Sequence, residues 1–346
     1  MNLRSPKMSP VSPPYSKVER MINVPHKTPR RPALVRALVA VVALTSCAAL
    51  AMPGAQAAQS AQAAQSAQSG ATVTQPIPAR GTAAKVATGE MGTTAVAAWN
   101  SSTAWKKVRY NPLYTTPYVG ASKCKEPKIA LNTQANIAKY DQYLLNCLYS
   151  VWKSPVSRAR GDYNVKPSLI VHGYTQVKTT CGTVNYPSSF YCSYKNGRIY
   201  IPWKYIASFW KQNQAFARAY ATQTLAHEYG HHVQRQTGIL DASWWRQNRM
   251  TTSSAALAES RRRELQAQCL GGVYIGADRA YYPMTGAILT QWKYLVSHSG
   301  DMKGYPRDHG SWTNNSFWSN GGFNGDGKGR HAGSCQTFAA SATRIA

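Results

Sequence analysis

Hydrophobic positions recur with structural periods only after roughly the first hundred residues of this 346-residue chain. From Asn136 to Trp152 they fall at Ile137, Tyr140, Leu144, Cys147, Leu148 and Val151, the three-and-four spacing of one helix face. Two short runs with β-branched members, Ser168 to His172 and Arg198 to Ile201, read as strands, and Val177 to Tyr194 has the Tyr, Thr and Val content of an extended hairpin. A helical run from about Ala215 to Gln236 is punctuated by Leu225, Ala226 and Val233, with Gly238 as its stop signal. Glu259 to Val273 and Gly286 to Val296 read as two more helices. Asn320 to Gly327 reads as a surface turn. Its Asn and Asp content also raises a calcium loop, but the glutamate and regular spacing of an EF-hand are missing.

The region before these elements has a different character. Met1 to Arg36 is polar, basic and proline-rich, and Ala37 to Met52 is apolar. Pro53 and the triplet Ala55-Gln56-Ala57 close the run. A positive start, a short apolar core and an A-x-A end are the marks of a secretory signal peptide, so residues 1–57 are expected to be removed. Leu44-Thr45-Ser46-Cys47 offers a competing lipoprotein reading through Cys47. A retained N-terminal anchor is the third option, although the run is shorter than the roughly 20 residues a spanning helix needs. Residues 58–98 repeat Ala, Gln and Ser with almost no large apolar side chain. They cannot bury enough surface to offset ordering entropy and are expected to be a flexible linker. The remaining 99–346 suffices for one domain with its own core.

Within the central helical run lies His227-Glu228-Tyr229-Gly230-His231, an HExxH motif. Histidines four apart on a helix share one face, so both imidazoles can reach one Zn²⁺. The glutamate between them then sits beside the open position, where it can take a proton from zinc-bound water. Random placement of this chain's 8 His and its few Glu would give only about 0.003 such matches. His232 follows directly but points away from that face. A catalytic zinc usually takes three protein ligands, so another donor must come from elsewhere. The next helix offers Glu259 and Glu264, which lie about 140° apart around a helix and cannot both face one ion. Glu264 shares its stripe with Gln268 and the pair Gly271-Gly272, which would permit close helix packing.

The HEYGHHVQ and ELQAQC segments that carry these residues resemble the bacterial neutral zinc metallopeptidases. The resemblance extends in order through Asn111-Pro112-Leu113-Tyr114, Ser189-Phe190-Tyr191-Cys192, Ile199-Tyr200-Ile201-Pro202, His309-Gly310-Ser311 and Cys335-Gln336-Thr337-Phe338. It implies His227, His231 and Glu264 as zinc ligands and Glu228 as general base. It also implies a compact α+β zincin-like domain, in which a small sheet packs against a metal-binding helix and a glutamate-bearing second helix. An edge strand beside the metal helix would hold extended substrate by strand addition. One departure is Gln268, where relatives often carry Asp or Asn that would hold a ligand histidine. Setting Cys47 aside leaves six cysteines, which permit 15 pairings. Resemblance and proximity favour Cys124 with Cys147, Cys181 with Cys192, and Cys269 with Cys335.

The expected function is therefore a secreted or cell-envelope zinc metallopeptidase acting on protein or peptide substrates. The alternative is a non-catalytic envelope-binding module with a structural zinc. His309 is the candidate donor to the oxyanion that develops during hydrolysis, with Tyr281 and Tyr282 behind it. His172 reads as a core histidine, and Trp244-Trp245 as core or rim. The formal charge of +27, near +20 once residues 1–57 are gone, favours anionic partners such as cell-wall polymers. Nucleic acid is not expected, since the basic residues are scattered apart from Arg261-Arg262-Arg263. Nothing in the sequence sets the oligomeric state.

Overall fold

The computed structural model describes residues 99–173, 177–184, 189–282, 284–301, 307–325 and 330–346. The signal-peptide, lipoprotein, anchor and linker readings lie outside the described residues. Among the described residues, no helix is long and apolar enough to cross a membrane.

The fold is α+β, compact and compatible with a zincin-like domain. Eight α-helices are described: α1 (Ser101–Arg109), α2 (Gln134–Arg158), α3 (Trp203–Gln212), α4 (Gln214–Gln236), α5 (Ile239–Gln247), α6 (Ser253–Asp278), α7 (Gly286–Ser297) and α8 (Trp312–Asn324). Side-chain caps start several of them: Asn100 for α1, Thr133 for α2, Asn213 for α4, Thr252 for α6 and Ser311 for α8. Gly238, with φ of 77°, takes the left-handed conformation just past the end of α4. The strands are β1 (Ser168–His172), β2 (Val177–Thr179), β3 (Gly182–Val184), β4 (Phe190–Cys192) and β5 (Arg198–Pro202). The three-stranded sheet runs β1-β5-β4. Ser168 lies opposite Arg198 in the parallel pair, and Phe190 lies opposite Tyr200 in the antiparallel one. Strands β2 and β3 form a separate antiparallel hairpin.

Helix α4 is buried on nearly every side, between α2, α3, α6 and α7. It can be so because Ala217, Ala219, Ala221, Ala226 and Gly230 let neighbours approach, while its buried polar side chains include several that are hydrogen-bonded to other elements. The closest approach is to α6. A Cβ on Gly230 would come within 2.7 Å of the Ala267 carbonyl oxygen, and one on Gly271 within 3.2 Å of the Ala226 carbonyl carbon. Gly272 faces the other way, onto Ser319 of α8. The expected glycine seam is thus divided between two helix interfaces.

Three element boundaries differ from expectation. Helix α6 begins six residues earlier than Glu259, so Glu259 lies well inside the helix, buried and paired with Arg246 at 2.9 Å. Helix α2 continues past Trp152 to Arg158 although it contains Pro155; burial of Pro155 and Val156 offsets the missing donor. The expected surface turn from Asn320 is helical as far as Asn324, because Gly322 lets α8 lie directly on the Cys269 carbonyl of α6.

The disulfides are Cys124–Cys147, Cys181–Cys192 and Cys269–Cys335, the pairs the resemblance implied. They tie the segment before α2 to that helix, the β2–β3 hairpin to β4, and α6 to the C-terminal segment. The arginine run anchors that segment too. Arg261 donates to the Ile345 carbonyl, Arg262 to those of Thr337 and Ala340, and Arg263 is buried over the Trp244 ring.

Candidate metal centre

The α4–α6 contact brings His227, His231 and Glu264 together. One donor atom from each lies within 4.8 Å of the other two. Glu264 Oε2 is 3.1 Å from His231 Nε2 and 3.5 Å from His227 Nε2. Each imidazole is fixed from behind. His227 Nδ1 donates to Gln268 Oε1 at 3.0 Å and His231 Nδ1 to Gln234 Oε1 at 2.9 Å, which turns both Nε2 atoms toward the carboxylate. Gln234 is itself held, donating to the Arg263 carbonyl and to Gln266 Oε1. Two nitrogens and one carboxylate oxygen, with both tautomers set, match the donor set of a zinc ion that keeps one position open. Among the described residues no fourth His, Cys, Asp or Glu joins this group.

Burial alone would push the Glu264 carboxyl up. The charges of His231 and His309 and the hydrogen bonds from His227 and His231 outweigh it and hold the carboxyl well below the usual range. The other oxygen, Oε1, faces the buried Arg263 guanidinium at 3.7 Å. Glu228, between the two histidines, is pushed up to about 7 by burial, against the opposing charge of His227; nearby Glu264 raises it further, and a hydrogen bond with Ser189 lowers it. Ser189 immediately precedes β4, so an outer strand of the three-stranded sheet begins beside Glu228.

His309 comes from the segment before α8 and faces the same carboxylate, Nε2 to Glu264 Oε2 at 3.4 Å. Burial would lower its pKa, but Asp308 and Glu264 raise it to about 9. The other expected site neighbours are elsewhere. Tyr282 is buried edge-on against Tyr140, and Tyr281 is exposed. His232 accepts from the Tyr191 hydroxyl at Nδ1 and donates to the Val165 carbonyl at 2.8 Å; burial lowers its pKa to about 4. It is a neutral clamp between α4, β4 and the segment before β1. His172 packs edge-on against Tyr200. Glu259 is occupied by Arg246.

Sequence reasoning missed Gln234, although it lies three residues beyond His231 on the same helix and so on the same face. It also passed over Asp308, whose contact with its neighbour His309 depends on loop geometry that carries no periodic signal.

A model of the family described as putative neutral zinc metallopeptidase matches residues 120–284. The chain resembles that family over a stretch that contains the ligand-type residues of α4 and α6; His309 lies beyond it. No curated protein and no solved structure matches the chain.

Proposed function

We propose that this chain is a zinc-dependent peptidase of the cell exterior or envelope, cleaving peptide bonds with Glu228 as general base. The observation that carries this reading is the convergence of His227, His231 and Glu264 with Glu228 buried among them. The family match supports metallopeptidase as the class. Zinc held by the three donors would supply Lewis-acid activation of water and of the scissile carbonyl. Glu228 takes a proton from the attacking water and delivers it to the leaving amine; a carboxyl poised near 7 suits both transfers. His309 Nε2 donates to the oxyanion. The outer edge of β4 aligns extended substrate backbone past Glu228.

The alternative of a non-catalytic envelope module with a structural zinc has less in its favour. Closed sites usually use four protein ligands, and a buried acid beside three ligands has no task there. Export is supported by the three disulfides, which form in oxidising compartments. The basic balance of the chain favours anionic wall polymers as a docking partner.

The test is digestion of a mixed peptide library by the full chain and by Glu228→Gln, with zinc content measured in both. The amide keeps the shape and removes the base, so zinc should stay while hydrolysis falls by about 10²- to 10⁴-fold. Hydrolysis by the variant at the wild-type rate would overturn the mechanism.

A further inference from the structure

Three imidazoles face Glu264 Oε2, and the groups behind them differ in kind. His227 and His231 are each backed by a neutral amide, Gln268 and Gln234. His309 is backed by a carboxylate, with Nδ1 2.7 Å from Asp308 Oδ1. A second carboxylate holds the same residue by its backbone, since the His309 N–H donates to Asp301 Oδ1 at 2.8 Å. Both acids are largely buried, with side-chain exposures of 5 % for Asp301 and 7 % for Asp308. A buried carboxylate costs far more to place than an amide unless something needs it. The donor atoms of Asp301, Asp308 and His309 also lie close enough together to suggest a second cation site. Both acids are, however, already committed to His309, and Arg261 and Arg307 interact with Asp301.

We propose that Asp308 and Asp301 are positioning residues that clamp His309, ring and backbone, so that its Nε2 faces the centre from outside the three-donor group. This rests on the peptidase reading for its catalytic consequence, but the clamp itself does not. His309 does not join the compact three-donor group, although its Nε2 is within 3.4 Å of Glu264. Asp308 sets the ring, since the contact of Nδ1 with its carboxylate turns Nε2 to the centre, and Asp301 fixes the backbone from which the ring hangs.

The clamp is read by nuclear magnetic resonance of the zinc-loaded full chain labelled with ¹⁵N-histidine. One downfield, slowly exchanging ring N–H should vanish in His309→Ala, vanish in Asp308→Ala and persist in Asp308→Asn, whose amide oxygen still accepts. Persistence of that signal in Asp308→Ala overturns the proposal whatever the chain hydrolyses. Zinc affinity, measured with a competing chelator, should change less than twofold in Asp308→Ala and in His309→Ala; a tenfold loss in the latter would make His309 a ligand and overturn its place outside the three-donor group. Against a library peptide that the wild type cleaves, Asp308→Ala should lower kcat about 10- to 100-fold with KM within twofold. It should add nothing in a His309→Ala background, and an undiminished loss there would also overturn the proposal. A wild type that cleaves nothing would remove the peptidase reading, while the ring signal and zinc affinities would still decide the clamp.

Discussion

Gly230 of α4 lies against the backbone of Ala267 in α6, close enough that a methyl group there would come within 2.7 Å of the Ala267 carbonyl oxygen. That contact sits one residue from His231 and three from Glu264, so the spacing of the two helices sets the spacing of the donors. Backbone atoms cannot swing aside as a side chain would. Gly230→Ala is therefore expected to cost about 1–3 kcal/mol in urea unfolding and to weaken zinc binding by forcing the helices apart. Gly321→Ala is the control, because nothing lies within 4 Å of its Cβ position. At that helical site, alanine should stabilise by roughly 0.5–1 kcal/mol and leave zinc affinity unchanged.

The two glutamates of α6 are expected to separate metal binding from stability. Glu264→Ala should reduce zinc affinity severely, by about 100-fold or more, as loss of one of three donors. Glu259→Ala should leave zinc affinity nearly unchanged. It removes the partner of Arg246 from a buried position and should destabilise the fold by about 3 kcal/mol. Chelator competition and urea titration of both variants check this, and the opposite ranking of zinc affinities would refute the ligand assignment.

How legible this was depended on the kind of signal. His227, Glu228 and His231 stood out because helix geometry alone puts i and i+4 on one face. The period of 100° per residue forbids Glu259 and Glu264 from facing one ion together, and the stripe that Glu264 shares with Gln268 and the glycines was what favoured it. What was hidden falls into two kinds. Helix α4 is buried all round, so the periodic contrast that marks an amphipathic helix is weak along it, and the role of His232 is set by partners far away in sequence. The stretch from Asn320 looks like a turn by composition, yet its glycines serve helix packing. Composition alone does not tell a glycine kept for a turn from one kept for close approach.

The Cys269–Cys335 disulfide joins α6, near Glu264, to the C-terminal segment across a separation of 66 residues. A loop of that length corresponds to about 4 kcal/mol of stabilisation in the chain-entropy account. Cys269→Ala with Cys335→Ala should lower unfolding stability by roughly that amount, measured with the other two disulfides intact. Mass mapping of the unreduced protein should find no alkylated thiol at Cys269; recovery of mostly free Cys269 would contradict the pairing.

Asp141 gives the clearest pH dependence. It is fully buried on α2, neither carboxyl oxygen has a hydrogen-bond partner, and burial raises its pKa well above the ordinary 3.8. Between 3.8 and that raised value the folded chain holds a proton that the unfolded chain has released. The unfolded state then binds fewer protons, so stability falls as pH rises, by up to about 1.4 kcal/mol per pH unit from this group. The contribution is fully present below 3.8 and is lost as pH climbs through the folded pKa. Asp141→Asn cannot ionise and should flatten the decline. Urea unfolding of both proteins at pH 5, 6.5 and 8 measures it. The difference in stability, variant minus wild type, should grow toward pH 8. The same difference at all three pH values would mean that Asp141 releases its proton equally in both states, and that its burial does not oppose ionisation.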